Sequence, residues 1–238
     1  MKKLLFIMIF ALLGSLYATV YSLPVSTIVI DAGHGGIDPG AVGKNILEKD
    51  VTLAIAKRLE SIIESESEFT PYLTRANDTY ISLEDRVAIS NSVFPGYDSS
   101  ALCISIHVNG VKDESVQGYE ILVRESKRAV PFITLDTPSW AISYFAHTSF
   151  STLQRMVNQA SYALSHAVHS SFSSTFPDRV DRGVKEQNVY VLQNSVWPSI
   201  VVEAGFITHK EESSLMSEDS WIDSVARSIF EGIISYTS

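Results

Sequence analysis

Ile28 to Asp38 reads IVIDAGHGGID. An apolar, β-branched run that begins at Thr27 stops at Asp31, and a glycine-laden turn follows with His34 between Gly33 and Gly35. The run predicts a buried strand, and the turn predicts that this strand hands an imidazole to an open loop. Ligands in open α/β sheets gather beyond the carboxyl ends of strands, so a metal-binding or catalytic histidine is expected here.

Working outward, Val51, Ala54, Ile55, Leu59, Ile62 and Ile63 recur at helical spacing and predict an amphipathic helix over 49–65. A second strand is expected over 69–74, and Ser82-Leu-Glu-Asp85 has the spacing of a capping box at the start of a short helix. A buried strand over 102–106 stops at His107, which puts a second histidine at a strand end. Further strands are expected over 118–123, 189–192 and 200–202, the last ending in Glu203, and helices over 153–168 and 219–236. The serine-rich run up to Thr175 is expected to end the first of these helices in a polar turn. Between them, 124–150 has prolines and scattered aromatics without periodicity and is expected to be an inserted loop or lid. Strands interleaved with helices predict a three-layer αβα sandwich around a mixed, mostly parallel sheet of about six strands.

A chain of 238 residues can bury one substantial core. Lys2 and Lys3, an apolar run from Leu4 to Leu13 and small residues at Ser15 and Ala18 have the layout of a secretory signal, with cleavage expected near residue 22. Residues 23–238 would then form a single domain, exported to the periplasm or cell envelope and without stable membrane insertion. Loss of the two lysines makes the formal charge of −9 two units more negative, which argues against nucleic acid or anionic lipid as a partner. Cys103 is the only cysteine, so no intrachain disulfide forms; between Leu102 and Ile104 it is expected to be a small buried hydrophobe. The glycines at 33, 35, 36 and 40 match neither a dinucleotide fingerprint nor a P-loop.

His34, Glu48, His107 and Glu203 are all expected just past strands or at the mouth of the first helix. Two imidazoles and one carboxylate make a zinc set that leaves a fourth tetrahedral position for water, and Glu48 stands where the helix dipole favours an anion. Metal so held makes an amide hydrolysable. Asp31 is either an orienter of His34 or a turn former, and Asn109 either a substrate contact or a turn closer. Arg75 and Arg86 are expected in structural salt bridges, Arg182 in a substrate-contacting or structural loop, His166 and His169 on a solvated helix face, and His209 at a helix start.

The wording around these residues carries more. IDAGHGGIDPGAVG from Ile30, LEKDV from Leu47, SIHVNG from Ser105, RGVK from Arg182 and IVVEAGFI from Ile200, in that order, resemble the zinc-dependent N-acetylmuramoyl-L-alanine amidases of the type-3 family. The resemblance implies one zinc ion per chain held by His34, Glu48 and His107, with Glu203 as the catalytic carboxylate. It implies peptidoglycan as substrate, cut between N-acetylmuramic acid and the first L-alanine of the stem peptide, in wall remodelling or daughter-cell separation. It also implies, for some relatives, an insertion that occludes the zinc until an envelope activator displaces it; here Glu125, Asp136 and His147 would be the occluding groups. A monomer is expected. The alternatives are a zinc peptidase cutting within the stem peptide and a non-catalytic peptidoglycan-binding regulator, which would lack a ligand or the base.

Overall fold

The computed structural model describes residues 20–238. Six strands form one sheet in the order β2-β1-β3-β6-β4-β5, namely β1 (Val25–Ala32), β2 (Thr70–Leu73), β3 (Ser100–Asn109), β4 (Tyr119–Arg124), β5 (Asp181–Gln187) and β6 (Ser199–Phe206). All neighbours run parallel except β4 and β6, so the sheet is mixed and mostly parallel as expected. The chain leaves β1 toward β2 on one side and returns to β3 on the other. That reversal opens a crevice at the carboxyl ends of β1 and β3.

Alternation along the strands sends Ile28, Ile30, Leu102, Ile104, Ile106, Ile200 and Val202 to one face. This face is covered by α1 (Glu48–Glu66), α7 (Asp219–Thr237) and the second half of α4 (Phe150–Thr175), which brings Leu164, Val168 and Phe172. Each of these fully buried apolar side chains contributes roughly 1.5–3 kcal/mol. The other face carries Val29, Ala101, Cys103, Leu122 and Val201. It is covered by Trp197, by α5 (Tyr190–Asn194) through Leu192, and by the first half of α4 through Leu153 and Val157. The long α4 thus serves both layers, and its Ser161 hydroxyl caps the amino end of β6 by accepting from the Ser199 amide at 2.9 Å. Cys103 is buried on this face, and burial pushes its thiol up to about 12.

Five sequence expectations change. Residues 189–192 form the start of α5, not a strand; a four-residue apolar run does not distinguish the two. The RGVK segment, expected to be a loop, is inside β5, an edge strand that is partly exposed throughout and so needs no apolar alternation. His107 and Glu203 lie within β3 and β6, not at their ends. The serine-rich run is still helical to Thr175, because Phe172 within it is buried. The segment 124–150 is not a bare loop: its Val130, Phe132, Ala141 and Phe145 are core around Trp197, and it includes the helix α3 (Ser139–Phe145).

The expected helix start at Ser82 is as read, with Ser82 Oγ accepting from the Asp85 amide at 3.1 Å at the head of α2 (Leu83–Ser92). His209 caps the short helix α6 (Lys210–Leu215). The secretory-signal reading falls mostly on residues outside those described. Tyr21 packs against the fold, its hydroxyl donating to the Val196 carbonyl at 2.5 Å. Among the described residues no helix is long and apolar enough to cross a membrane.

Candidate metal centre

The turn after β1 is held from beneath by two guanidiniums. Arg75 donates to the carbonyls of Ala32 (2.9 Å), Gly33 (2.7 Å) and Lys49 (2.9 Å). Arg86 donates to the Ala32 carbonyl at 2.6 Å and to the carbonyl of His34. With its carbonyls gathered this way, the chain passes through His34 at φ 59°, a left-handed conformation that costs an ordinary residue about 1–2 kcal/mol.

Arg86 is neutralised by Asp31 at 2.7 Å, and Asp31 also accepts from the Thr74 and Ser105 hydroxyls at 2.7 Å each. Burial raises the pKa of Asp31, but Arg86 and the two hydroxyls outweigh it and hold the carboxyl below its usual range. Asp31 therefore does not orient the His34 ring; it acts on His34 through Arg86 and the backbone. The ring is instead held at Nδ1 by Asp38, 2.8 Å away, a residue that sequence reasoning passed over although it lies four positions on in the same motif.

His34, Glu48 and His107 offer ligand atoms that all lie within 4.8 Å of one another, the one such set of three among the described residues. His34 Nε2 is 3.2 Å from Glu48 Oε2, and His107 Nδ1 is 2.9 Å from Glu48 Oε1. The two imidazole rings stand nearly perpendicular at 81°, with centroids 5.1 Å apart. Glu48 opens α1, and its oxygens also accept from the Ala41 amide at 2.7 Å and the Val108 amide at 3.2 Å. Burial raises the Glu48 pKa, but the His107 and His34 partners dominate and depress it strongly. For His107, burial lowers the pKa, while the bond to Glu48 and the charges of Glu203, Glu48 and Asp31 lift it to about 9. The pocket therefore favours positive charge.

Gly40, at φ 66°, closes over the set: a Cβ there would come within 2.6 Å of both Glu48 Oε2 and His34 Cδ2. Two imidazoles and a carboxylate in this arrangement fit a tetrahedral zinc site with one position open, and His34 and Glu48 carry the outer contacts such ligands need. Of the groups expected to occlude it, Glu125 faces Arg128 at 3.8 Å, and none of Glu125, Asp136 and His147 joins the set.

Glu203 on β6 is the cross-strand partner of His107 on β3. Its Oε2 is buried without a hydrogen-bond partner, and burial, opposed by His107 and aided by Glu48 and Glu120, pushes its pKa up to about 7. An extra residue in β6 between Glu203 and Phe206 bulges the strand beside it. On the far side Glu120 of β4 pairs with Glu203 in register, so His107, Glu203 and Glu120 form a row across three strands. Asn109 and Arg182, singled out as substrate contacts, both converge on Glu120, at 3.1 and 3.0 Å. Glu120 was missed; a lone acid in an apolar run was its only signal. His169 pairs with Asp181 at 2.7 Å, so it is not merely solvated, and His166 packs against Tyr162.

The family described as N-acetylmuramoyl-L-alanine amidase matches residues 28–235. A probable N-acetylmuramoyl-L-alanine amidase, AmiB of Haemophilus influenzae, is 28% identical over 99% of the chain and 57% of its own length. The amidase AmiA of Escherichia coli K12 is 30% identical over 88% of the chain and 75% of its own length. Among solved structures, the CwlD amidase of Clostridioides difficile, in complex with the GerS lipoprotein, superposes with a TM-score of 0.70 at 25% identity, covering 89% of this chain and 98% of that one. The chain thus spans little more than half the length of the first of these relatives.

Proposed function

Since the chain belongs to the N-acetylmuramoyl-L-alanine amidase family, we propose that it hydrolyses the amide between N-acetylmuramic acid and L-alanine in peptidoglycan, with zinc held by His34, Glu48 and His107. The observation that carries this reading is the convergence of the three ligand-type side chains beside a glutamate on the next strand whose Oε2 is buried and unpartnered. A zinc ion bound there supplies Lewis acidity toward the amide carbonyl and lowers the pKa of water to about 7.

The chain's own residues do the rest. Asp38 fixes the His34 imidazole at Nδ1, and Arg75 and Arg86 fix the loop that carries it. Glu203 takes the proton of the attacking water at Oε2 and returns it to the leaving alanine nitrogen. Burial raises this carboxyl above the usual carboxylate range, which favours its holding the proton between the two steps. Asn109 and Arg182, on the Glu120 side of the row, contact the substrate.

In this reading the protein is a monomer that is exported and acts in the cell envelope during wall remodelling or daughter-cell separation. The lipoprotein complex of the C. difficile relative supports an envelope protein as its activator. The test is incubation of the mature protein with purified peptidoglycan, with and without chelator, and mass analysis of the fragments. Intact stem peptide with a free L-alanine terminus, abolished by chelator and restored by zinc, is the expected result. Fragments cut within the stem would make it a peptidase, and cleavage that survives both chelation and Glu203→Gln would overturn the mechanism.

A further inference from the structure

Glu120 gathers three donors: Asn109 Nδ2 at 3.1 Å, Arg182 Nε at 3.0 Å and Lys185 Nζ. In a regular strand, residues 182 and 185 would face opposite sides of the sheet. They share a side because β5 carries one extra residue between the pairs Tyr119–Asp181 and Ile121–Val184, and Gly183 takes φ 77° within that bulge. The Arg182 guanidinium lies 5.0 Å over the Phe206 ring.

Arg182 is thus fixed at Nε and on one face, while among the described residues its two terminal nitrogens donate to no protein atom. One carboxylate facing two cations leaves the cluster positively charged, and the Arg182 side chain is 32% exposed.

We propose that this cluster is a carboxylate-recognition subsite, in which Arg182 pairs with an acidic residue immediately after the alanine released by cleavage. The inference rests on the amidase reading. Two residues of extended peptide span about 7 Å. Directly opposed residues on neighbouring strands lie about 5 Å apart, so Glu120 stands one such step from Glu203 and the Arg182 head one ion pair beyond. A substrate with its scissile amide at Glu203 therefore brings the carboxylate of its second residue to Arg182. Glu120 is a positioning residue, aiming the guanidinium fork at a planar acid.

The test compares kcat/KM on disaccharide-tetrapeptide muropeptides whose second stem residue bears either a free carboxylate or its primary amide. The wild-type protein is expected to favour the acid by about 10-fold or more, through KM, with the margin shrinking as salt rises. Arg182→Gln is expected to erase the margin and Arg182→Lys to keep part of it, since the ammonium retains charge but not the fork. Equal wild-type rates on acid and amide, or a margin that survives Arg182→Gln, overturn the inference and leave the amidase reading standing. The wild-type ratio alone decides if the variant does not fold. If the wild type cleaves neither substrate between muramic acid and alanine, the amidase reading itself falls and takes the inference with it.

Discussion

On the β1 side of Glu203, Arg75 and Arg86 are each 4% exposed and spend their donors on backbone carbonyls and Asp31. On the β5 side, Arg182 and Lys185 are 32% and 43% exposed and share the single carboxylate of Glu120. Both pairs of cations stabilise an acid beside the same row of strands, yet the first pair has no freedom left and the second has donors to spare. In the proposed reading, a frame for metal ligands works by not reorganising, and a rim that meets variable substrate needs accessible charge. Between them stands Glu203, half-buried, with its Oε2 buried and without a partner.

Removing that central group should have the largest effect. Glu203→Gln keeps the shape and is expected to lower turnover on peptidoglycan by about 10²–10⁴-fold, the range for loss of a general acid–base. Thermal denaturation should show no loss of stability, because the amide replaces a carboxylate whose buried oxygen has no partner. A large fall in melting temperature would mean that Glu203 is structural.

Next in size is the contrast between the two flanks. Arg86→Ala strands the buried Asp31 charge and should cost about 3–5 kcal/mol in denaturant unfolding. Arg182→Ala breaks a partly exposed pair and should cost no more than about 1 kcal/mol. The pH dependence follows the same division. The Asp31 pKa is held down in the fold, so its contribution is fully present above its unfolded value of about 3.9 and is lost as pH falls through the lowered folded value. Asp31→Asn should flatten that acid limb in a series of unfolding curves below pH 5; an unchanged limb would show that Asp31 is not paired as described.

How much of this could be read from the chain alone divides along the same line. The strand into His34, the helix behind Glu48 and the hydrophobic strands into His107 and Glu203 announce themselves because the first flank is core, and core has period and punctuation. The resemblance named His34, Glu48 and His107, and the structure brings their ligand-type atoms within 4.8 Å of one another. Asp38 was hidden in plain view, since nothing in a sequence says which of several turn acids meets the ring. The β5 flank was not legible: an edge strand reading DRGVKEQ has a glycine and four charged residues and owes its place to Glu120 and the bulge. The 124–150 segment failed for the opposite reason, because aromatics that gather around one Trp197 need no periodic spacing to be core.

Glycine substitutions sharpen the comparison with smaller effects. Gly40 and Gly183 share the left-handed region at φ 66° and 77°, so an alanine at either pays the same backbone strain of about 1–2 kcal/mol. At Gly40 the new methyl also meets Glu48 and His34, and zinc affinity in a chelator competition should fall by about 10–100-fold, as when groups around metal ligands are disturbed. At Gly183 no atom lies within 4 Å, so there is strain without collision. Gly183→Ala should bind zinc as the parent does and lose only about 1–2 kcal/mol of stability. The strain favours a strand without the bulge, in which residues 182 and 185 part to opposite faces and one of them leaves Glu120. The acid-over-amide preference should then weaken while zinc affinity stays level; a joint fall of both would mean that the two flanks are mechanically one.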